Sequence, residues 1–183
     1  MADRSTHTFK GFLRSVTDPR AWIGLLRLVH HYNYTHVAPR RALTVGADVG
    51  LSPTVSMTDA QRIRIGDRSR IGDRCSLWAG PEWAPITIGR DTLLAPDVFV
   101  TAANYAFAPG TPPMDQPMDE AAVVIGDGVW IGTGVTIVAG VTIGDGAVIG
   151  AGSIVTKPIP ANAVAVGAPA RVVRMRDGAP VPA

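Results

Sequence analysis

Residues 125–160 read IGDGVW IGTGVT IVAGVT IGDGAV IGAGSI VTKPIP, six consecutive units of six residues. An aliphatic residue opens each unit, glycine usually takes the second position, and the fifth position is small or β-branched. A short fixed period of this kind is typical of repeat proteins in which each unit supplies one strand and one turn. The sequence therefore predicts a mainly β protein with stacked parallel strands and aliphatic ladders in its interior.

The same period runs back through the chain, and its register slips near residues 59–63 and 81–85, where insertions are expected to form loops. We expect about five coils between Val45 and Pro160. The second-position glycines are expected to tolerate positive φ and close backbone approach at tight corners. The earlier ladder positions are Val45, Leu51 and Met57, then Ile65, Ile71 and Leu77, then Ile88, Leu94 and Val100.

Three segments fall outside the repeat itself: one before the repeat domain of residues 43–176, one loop within that domain, and one tail after it. Residues 1–42 form an N-terminal helical segment, in which Asp18-Pro19 is typical of a helix start and predicts a helix over residues 19–32. Its face is predicted to carry Trp22, Leu25, Leu26 and Val29. The protruding loop 106–122, AFAPGTPPMDQPMDEAA, is too rich in proline for a regular strand or helix. Residues 177–183 are predicted to be a flexible tail.

Composition limits the classes of function. Hydrophobic residues make up 46% of the chain and charged residues 17%, which indicates a folded protein, and a net charge of +2 gives no reason to expect a nucleic-acid partner. The start, MADRSTHTFK, lacks the apolar region of a signal peptide, so a cytoplasmic location is predicted. Cys75, in the fifth position of its unit, is expected to be a buried core thiol.

The string VVIGDGVWIGTGVTIVAGVTIGDGAVIGAGSIVTKPIPANAVAVGAPARVVR, residues 123–174, resembles the hexapeptide-repeat O-acetyltransferases, such as the galactoside, maltose, nodulation-factor and surface-polysaccharide acetyltransferases. The resemblance covers residues 45–176. It implies a left-handed parallel β-helix, with three units in each triangular coil of about 18 residues. It also implies a homotrimer with active sites between subunits, and acetyl transfer from acetyl-CoA to a saccharide hydroxyl.

Six positions are implied by the resemblance to bind acetyl-CoA. Arginine and lysine suit contacts with its phosphates, and the alternative is a basic surface strand with small corner residues. The positions are Thr133 and Ala151 on the pantetheine arm, Thr156 and Lys157 at the turn after the last coil, and Arg171 and Arg174 near the phosphates.

Two tryptophans are candidates for the acceptor site. The resemblance places Trp130 beside the acceptor, with packing at the trimer interface as the alternative. Trp78, before the insertion PEWAP, either lines the acceptor site or forms a plain corner.

A run of arginines in the early coils indicates a solvated face or an anionic acceptor, such as a nucleotide-sugar or lipid-linked saccharide. A membrane would be contacted only through such an acceptor.

The catalytic histidine of related enzymes is absent. In VTAANYAFAPG, Tyr105 takes the place of the general base, and tyrosine side chains titrate near pH ~10. Tyr105 would then orient the acceptor while positioning and an oxyanion donor carry catalysis. Alternatively, His36 from the N-terminal segment is the base, or a shifted alignment brings in Asn104 or Asp115. The last alternative is a non-catalytic trimer that binds CoA or a sugar.

Other classes on this fold fit poorly. Zinc carbonic anhydrases need three histidines on the coils, and all four histidines here precede the coils. Sugar nucleotidyltransferases need a catalytic domain of a few hundred residues before the coils. The pair His30-His31 points in different directions on a helix, so no metal site is expected.

Overall fold

The computed structural model describes residues 11, 12 and 14–181, and within them a single helical segment leads into a stack of short strands. Residues 11, 12 and 14–17 are helical and precede helix α1 (Pro19–Tyr32). The strands are β1 (Thr44–Val45), β2 (Gly50–Leu51), β3 (Ser56–Thr58), β4 (Ile63–Ile65), β5 (Arg70–Ile71), β6 (Ser76–Trp78), β7 (Ile86–Ile88), β8 (Leu93–Leu94), β9 (Phe99–Thr101), β10 (Ala103–Tyr105), β11 (Met118–Glu120), β12 (Val123–Ile125), β13 (Trp130–Ile131), β14 (Thr136–Ile137), β15 (Thr142–Ile143), β16 (Val148–Ile149), β17 (Ile154–Val155), β18 (Ala163–Val166) and β19 (Arg171–Met175).

Three parallel sheets form the sides of a prism. Sheet 1 has the order β1-β4-β7-β12-β15, sheet 2 the order β2-β5-β8-β13-β16-β18, and sheet 3 the order β3-β6-β9-β14-β17. Strand β19 extends sheet 2 by pairing antiparallel to β18. Each coil passes from sheet 1 to sheet 2 to sheet 3, so the prism has a 1–2 edge, a 2–3 edge and a 3–1 edge.

The aliphatic ladders lie in the predicted register and form the core. Because parallel pairing places equal repeat positions over each other, every ladder residue meets its counterpart in the next coil. The five predicted coils are confirmed. The ladders are Val45–Ile65–Ile88–Ile125–Ile143 in sheet 1, Leu51–Ile71–Leu94–Ile131–Ile149 in sheet 2 and Met57–Leu77–Val100–Ile137–Val155 in sheet 3.

The glycines have two separate roles, which corrects part of the prediction. Second-position glycines are required by close approach alone: a Cβ on Gly132 would lie 2.6 Å from the backbone nitrogen of Ala151 in the next coil. Positive φ occurs instead two residues later, at Gly134 and its equivalents. In the early coils this left-handed position is held by residues such as Arg68 and Asp91.

Arginine–aspartate pairs connect the corners of successive coils. Arg68 donates from Nε to Asp91 at 2.7 Å, and this hydrogen bond holds the pKa of the Asp91 carboxyl below its usual range. These pairs neutralise most of the early arginine run, which favours its interpretation as a solvated face. The other pairs are Arg74–Asp97, Arg70–Asp48 and Arg90–Asp127.

Helix α1 has the predicted bounds, but its apolar face is not covered by the coils. Asp18 caps it by accepting a 2.8 Å hydrogen bond from the Arg20 backbone N–H, as its position before Pro19 predicts. All its residues are exposed, including Leu26 at 69%. The chain then continues through a π-helical turn (Asn33–Val37) and a 3-10 turn (Ala38–Arg41). Among residues 11, 12 and 14–181, no helix is long and apolar enough to cross a membrane.

The loop 106–122 is not wholly irregular, so that prediction was wrong in part. Its last proline is Pro117, and the following residues have free N–H groups that pair as strand β11, antiparallel to β10. The loop tip holds a short 3-10 turn (Pro113–Asp115). Gln116 braces the tip, because its amide bonds both the N–H and the carbonyl of Ala108 at 2.9 Å. Of the predicted tail, residues 182 and 183 lie outside the described residues.

Cys75 is fully buried, as predicted, and its thiol donates to the Ala95 carbonyl at 3.2 Å. Burial raises the pKa of this thiol, so it stays protonated near neutral pH and belongs to the core.

Candidate functional site

A cavity of about 410 Å³ opens on the 3–1 edge, beside the base of the loop hairpin. It brings together three residues proposed from sequence, Trp78, Asn104 and Tyr105, on elements far apart in the chain. The remaining lining residues are Thr58, Asp59, Ala79, Pro81, Phe99, Thr101, Ala103 and Met118.

The wall of the cavity is built by the repeat itself. Strands β3, β6 and β9 are paired in register, which stacks Thr58, Trp78 and Thr101 at the ends of three successive coils. The Trp78 indole packs edge-to-face on Phe99, with ring centroids 5.0 Å apart and an interplanar angle of 87°. This geometry is favourable for aromatic rings, and it leaves Trp78 46% exposed to the cavity and solvent.

The β10–β11 hairpin positions Asn104 and Tyr105, two of the residues predicted from the sequence as catalytic candidates. The Thr101 hydroxyl accepts from the Ala103 N–H at 3.2 Å and donates to the Ala103 carbonyl at 2.7 Å, which sets the direction in which β10 leaves the coil. Tyr105 then pairs with Met118 across the hairpin and is 60% exposed. Its phenol is therefore free to meet a ligand that enters the cavity.

Glu120, at the end of β11, holds the insertion PEWAP against the hairpin. Its carboxylate accepts hydrogen bonds of 2.7–2.8 Å from the backbone N–H groups of Glu82, Trp83 and Ala84. Burial opposes the charge, yet the three N–H donors outweigh it and keep the pKa of Glu120 below its ordinary 4.5. A side chain at Gly80 would overlap this carboxylate, so glycine is required there.

Asp59 supplies a carboxylate to the cavity. It follows Thr58 with a φ of 54°, a left-handed conformation that aspartate tolerates better than most residues. Arg62 approaches it, with Nη1 3.6 Å from Asp59 Oδ1. The carboxylate is thus oriented by a cation and keeps acceptor capacity for hydroxyl groups of a ligand.

His36 lies in a second cavity, of about 370 Å³, over sheet 3. This cavity shares Thr58 and Trp78 with the first one, so the two cavities adjoin at these side chains. The His36 ring stacks on Tyr32 with centroids 4.5 Å apart. The fold therefore brings the N-terminal segment next to the candidate site, as the His36 hypothesis requires.

The hydrogen bonds around His36 select one tautomer. The Thr35 hydroxyl donates its single proton to the His31 carbonyl at 2.7 Å, and the same oxygen lies 2.6 Å from His36 Nδ1. With the hydroxyl proton on the His31 carbonyl, the 2.6 Å contact is a hydrogen bond when Nδ1 carries the ring proton and donates it to Thr35. Nε2 of the neutral ring is then left as a proton acceptor, which is the form a general base needs.

The residues proposed for coenzyme A fall on two edges and one face. Thr133 and Ala151 stack on the 2–3 edge, where the Gly152 N–H donates to the Thr133 carbonyl at 2.8 Å, and Arg171 pairs with Val166 near the same edge. Thr156 and Lys157 are exposed on the 3–1 edge after β17, two coils beyond β9. Arg174 lies on the face of sheet 2, opposite Val164.

Trp130 and Asp115 do not line the cavity. Trp130 is 53% exposed on sheet 2, in a row that runs through Val148 and Val164 to Arg174. Asp115 is exposed at the loop tip, where its N–H donates to the Pro112 carbonyl. Within residues 11, 12 and 14–181, no cluster of three or more histidine, cysteine, aspartate or glutamate side chains is placed to hold a metal ion.

Three residues of the site were missed from sequence. Asp59 and Thr35 give no pattern of their own, and their roles arise from a corner conformation and a local hydrogen bond. Glu120 lies 36 to 38 residues from its partners. No signal in the sequence connects Glu120 to the insertion of residues 81–85, because the contact depends on how the loop folds.

Comparison with known proteins identifies the family. Residues 122–157 match the family model of the bacterial transferase hexapeptide (six repeats). The Escherichia coli K12 galactoside O-acetyltransferase is 36% identical over 156 residues, which cover 80% of this chain and 75% of that protein. The chain belongs to the hexapeptide-repeat acetyltransferases. Its fold, as predicted, is the left-handed parallel β-helix of that family.

Two further members are similar to it. Escherichia coli K12 WbbJ, whose name describes a lipopolysaccharide-biosynthesis O-acetyl transferase, is 42% identical over 97 residues, 49% of this chain and 50% of that protein. This chain therefore spans half the length of WbbJ. The hexapeptide-repeat acetyltransferase VCA0836 of Vibrio cholerae O1 biovar eltor, solved with acetyl coenzyme A, superposes with a TM-score of 0.67 and 30% identity over 75% of this chain and 73% of that one.

Proposed function

We propose that this hexapeptide-repeat acetyltransferase transfers an acetyl group from acetyl-CoA to a hydroxyl of a saccharide bound in the Trp78–Tyr105 cavity. The observation that carries the proposal is the convergence of Trp78, Asn104 and Tyr105 on one cavity at the loop hairpin, in a chain that belongs to this family. A role in making a surface polysaccharide is supported by the likeness to WbbJ. A cytoplasmic location agrees with the use of acetyl-CoA.

Acetyl-CoA is the proposed donor because VCA0836, a similar protein, was solved with it. The stacked corner of Thr133 and Ala151 leaves a small, exposed track on which a pantetheine arm would lie. Arg171, near the end of that track, is exposed and suited to a phosphate. Lys157 and Thr156 lie on the other edge, so they would reach the same coenzyme only across a subunit boundary.

A homotrimer is proposed because residues assigned to one site lie on different sides of a single subunit. In one subunit Trp130 lies on sheet 2, whereas the cavity opens on the 3–1 edge. Packing three prisms around a common axis would set a face of one subunit against an edge of the next. Trp130 and Arg174 would then complete the site of a neighbouring subunit.

The acceptor is proposed to be a saccharide because the cavity combines aromatic and carboxylate groups. Trp78 and Tyr105 offer exposed ring surface for the C–H faces of a sugar ring. Asp59 and Asn104 offer groups that hydrogen-bond hydroxyls. Arg62, the arginine that approaches the cavity residue Asp59, is paired with that carboxylate, so a charged acceptor has less support than a neutral sugar ring.

His36 is the proposed general base. Its Nε2 takes the proton of the acceptor hydroxyl as that oxygen attacks the thioester carbonyl carbon. The tetrahedral intermediate collapses, the C–S bond breaks, and the proton passes from Nε2 to the departing thiolate of coenzyme A. Tyr105 keeps the orienting role and holds the acceptor by one hydrogen bond. The shared Trp78 wall supports an approach of His36 to the bound hydroxyl.

The proposal is tested by incubating the protein with radiolabelled acetyl-CoA and a panel of mono- and oligosaccharides. Label is expected in a saccharide ester at a rate well above the rate of acetyl-CoA hydrolysis. The replacement of the usual histidine by Tyr105 favours a second candidate, a trimer that binds coenzyme A or a sugar without transfer. Tight coenzyme binding by calorimetry, without labelled product from any saccharide, would establish that alternative.

A further inference from the structure

We propose that helix α1 is an anionic-membrane anchor that lies flat in the lipid headgroup region. The inference is independent of acyl transfer, because the apolar residues on which it rests line neither the acceptor cavity nor the cavity that holds His36. It rests on the apolar face of α1 and on the charge of the segment that carries it.

The apolar face of α1 is broad and uncovered. Residues three and four apart share a helix face, so Trp22, Leu25, Leu26 and Val29 form one stripe. They are 47–69% exposed, and no residue of the helix is buried. An exposed apolar stripe of this size marks an interaction surface.

The helix is fastened to the prism at its C-terminal end. The Tyr32 hydroxyl donates to the Pro53 carbonyl at 3.2 Å, and its ring stacks on His36. At the other end the Trp22 indole N–H donates to the Val16 carbonyl at 2.6 Å, which ties the preceding helical residues to α1. The helix is therefore attached to the prism through Tyr32 at one end, while its apolar stripe stays uncovered.

The charge of the segment complements an anionic lipid surface. Residues 1–42 carry seven lysines and arginines and two aspartates, a formal charge of +5, whereas the rest has ten basic and thirteen acidic residues, a charge of −3. Arg20 and Arg27, seven residues apart, lie two turns from each other on the polar face of the helix. Interfacial helices characteristically combine such arginines with tryptophan and leucine opposite.

A membrane fits better than the same helix of a second copy. Packing of two α1 helices against each other would bring two +5 segments together, and their mutual repulsion would oppose the contact. The fourteen residues of α1 span roughly 21 Å at 1.5 Å per residue, short of a hydrocarbon core of about 30 Å. The helix would thus lie on the bilayer and hold the coils close to its surface.

The experiment is flotation with vesicles of phosphatidylcholine alone and of equal parts phosphatidylcholine and phosphatidylglycerol. Wild type is expected to float with the anionic vesicles, less at high salt and little with neutral ones. Arg20→Gln with Arg27→Gln should weaken partitioning by about fivefold for each arginine. Leu26→Glu with Val29→Glu should weaken it more than tenfold, and Val173→Glu with Val181→Glu, two changes at exposed valines of the C-terminal segment, should leave it intact.

Wild type that does not float, or that floats equally well after Leu26→Glu with Val29→Glu, would overturn the proposal. So would a fall in the light-scattering mass of that double variant without lipid, because the stripe would then be a contact between copies. Acetyl transfer to a soluble saccharide should be equal in wild type and the helix variants. Loss of transfer in every protein would contradict the proposed reaction and leave the lipid result standing.

Discussion

The hydroxyl oxygen of Thr35 lies 2.6 Å from Nδ1 of His36 and donates its own proton to the His31 carbonyl. These two bonds assign the proton of the neutral ring to Nδ1 and leave Nε2 as an acceptor. His36 shares its cavity with Trp78, a wall residue of the first cavity, and in this tautomer Nε2 is the nitrogen that can accept a proton.

Thr35→Val should lower kcat by about tenfold, because the ring keeps its stacking partner but loses the hydrogen bond that selects its tautomer. KM for acetyl-CoA should not change. Nitrogen NMR of labelled His36 should show a mixture of tautomers in the variant and one tautomer in wild type. Thr35→Ser, which restores the hydroxyl, should recover both rate and spectrum; a Ser variant as slow as Val would contradict the positioning role.

Tyr105→Phe should reduce turnover by roughly tenfold to a hundredfold, since one lost hydrogen bond to the acceptor is worth on the order of 1–3 kcal/mol. Tyr105→His should be tolerated and raise or keep the rate, because imidazole titrates near neutrality and a histidine stands here in related enzymes. Steady-state kinetics on one saccharide decides the matter. An unchanged rate and acceptor KM in Tyr105→Phe would remove this residue from the site.

Glu120 should make the acceptor cavity sensitive to acid. The pKa of Glu120 is lower in the folded protein than its ordinary 4.5. Its contribution to the stability of the fold is therefore present above pH 4.5 and is lost as pH falls through the folded value. Glu120→Gln should release the insertion near Trp83, raise acceptor KM severalfold at neutral pH and abolish the acid transition in tryptophan fluorescence. Asp119→Asn, on the exposed side of the same strand, is the matched control and should behave as wild type.

Arg171→Ala should weaken coenzyme A binding by about tenfold, because it lies at the end of the Thr133–Ala151 track. Arg174→Ala and Lys157→Ala should weaken it only in the assembled trimer. The loss should be smaller with dephospho-CoA for whichever residue contacts the 3′-phosphate. Calorimetry that gives equal affinities for wild type and all three variants would remove these residues from the coenzyme site.

The core was predictable because it follows from one period. Each ladder residue, from Val45 to Val155, repeats a pattern visible in the sequence, and parallel stacking converts that pattern directly into register. The helix bounds were predictable for a similar local reason, since Asp18-Pro19 specifies a helix start. The glycine roles were only half predicted, because close approach and positive φ fall at different positions of the unit.

The candidate site was predictable only where single residues stood out. Trp78 and Tyr105 stand out in the sequence as single residues. The register of β3, β6 and β9 places Trp78 next to the β10–β11 hairpin that carries Tyr105. Glu120 could not be inferred, because its partners depend on how β11 pairs with β10 after a proline-rich turn. The uncovered face of α1 was equally invisible, since amphipathic periodicity shows that a face exists but not what covers it.

The most direct test of the account measures acetyl transfer by wild type, His36→Ala and His30→Ala on one saccharide, with coenzyme A affinity determined for each. Because a positioned base contributes about 10²- to 10⁴-fold, His36→Ala should lose at least roughly a hundredfold in kcat at unchanged coenzyme affinity. His30→Ala, on the exposed end of α1, should retain the wild-type rate. A His36→Ala enzyme that transfers acetyl groups as fast as wild type, or a wild type that acetylates no saccharide, would contradict the account.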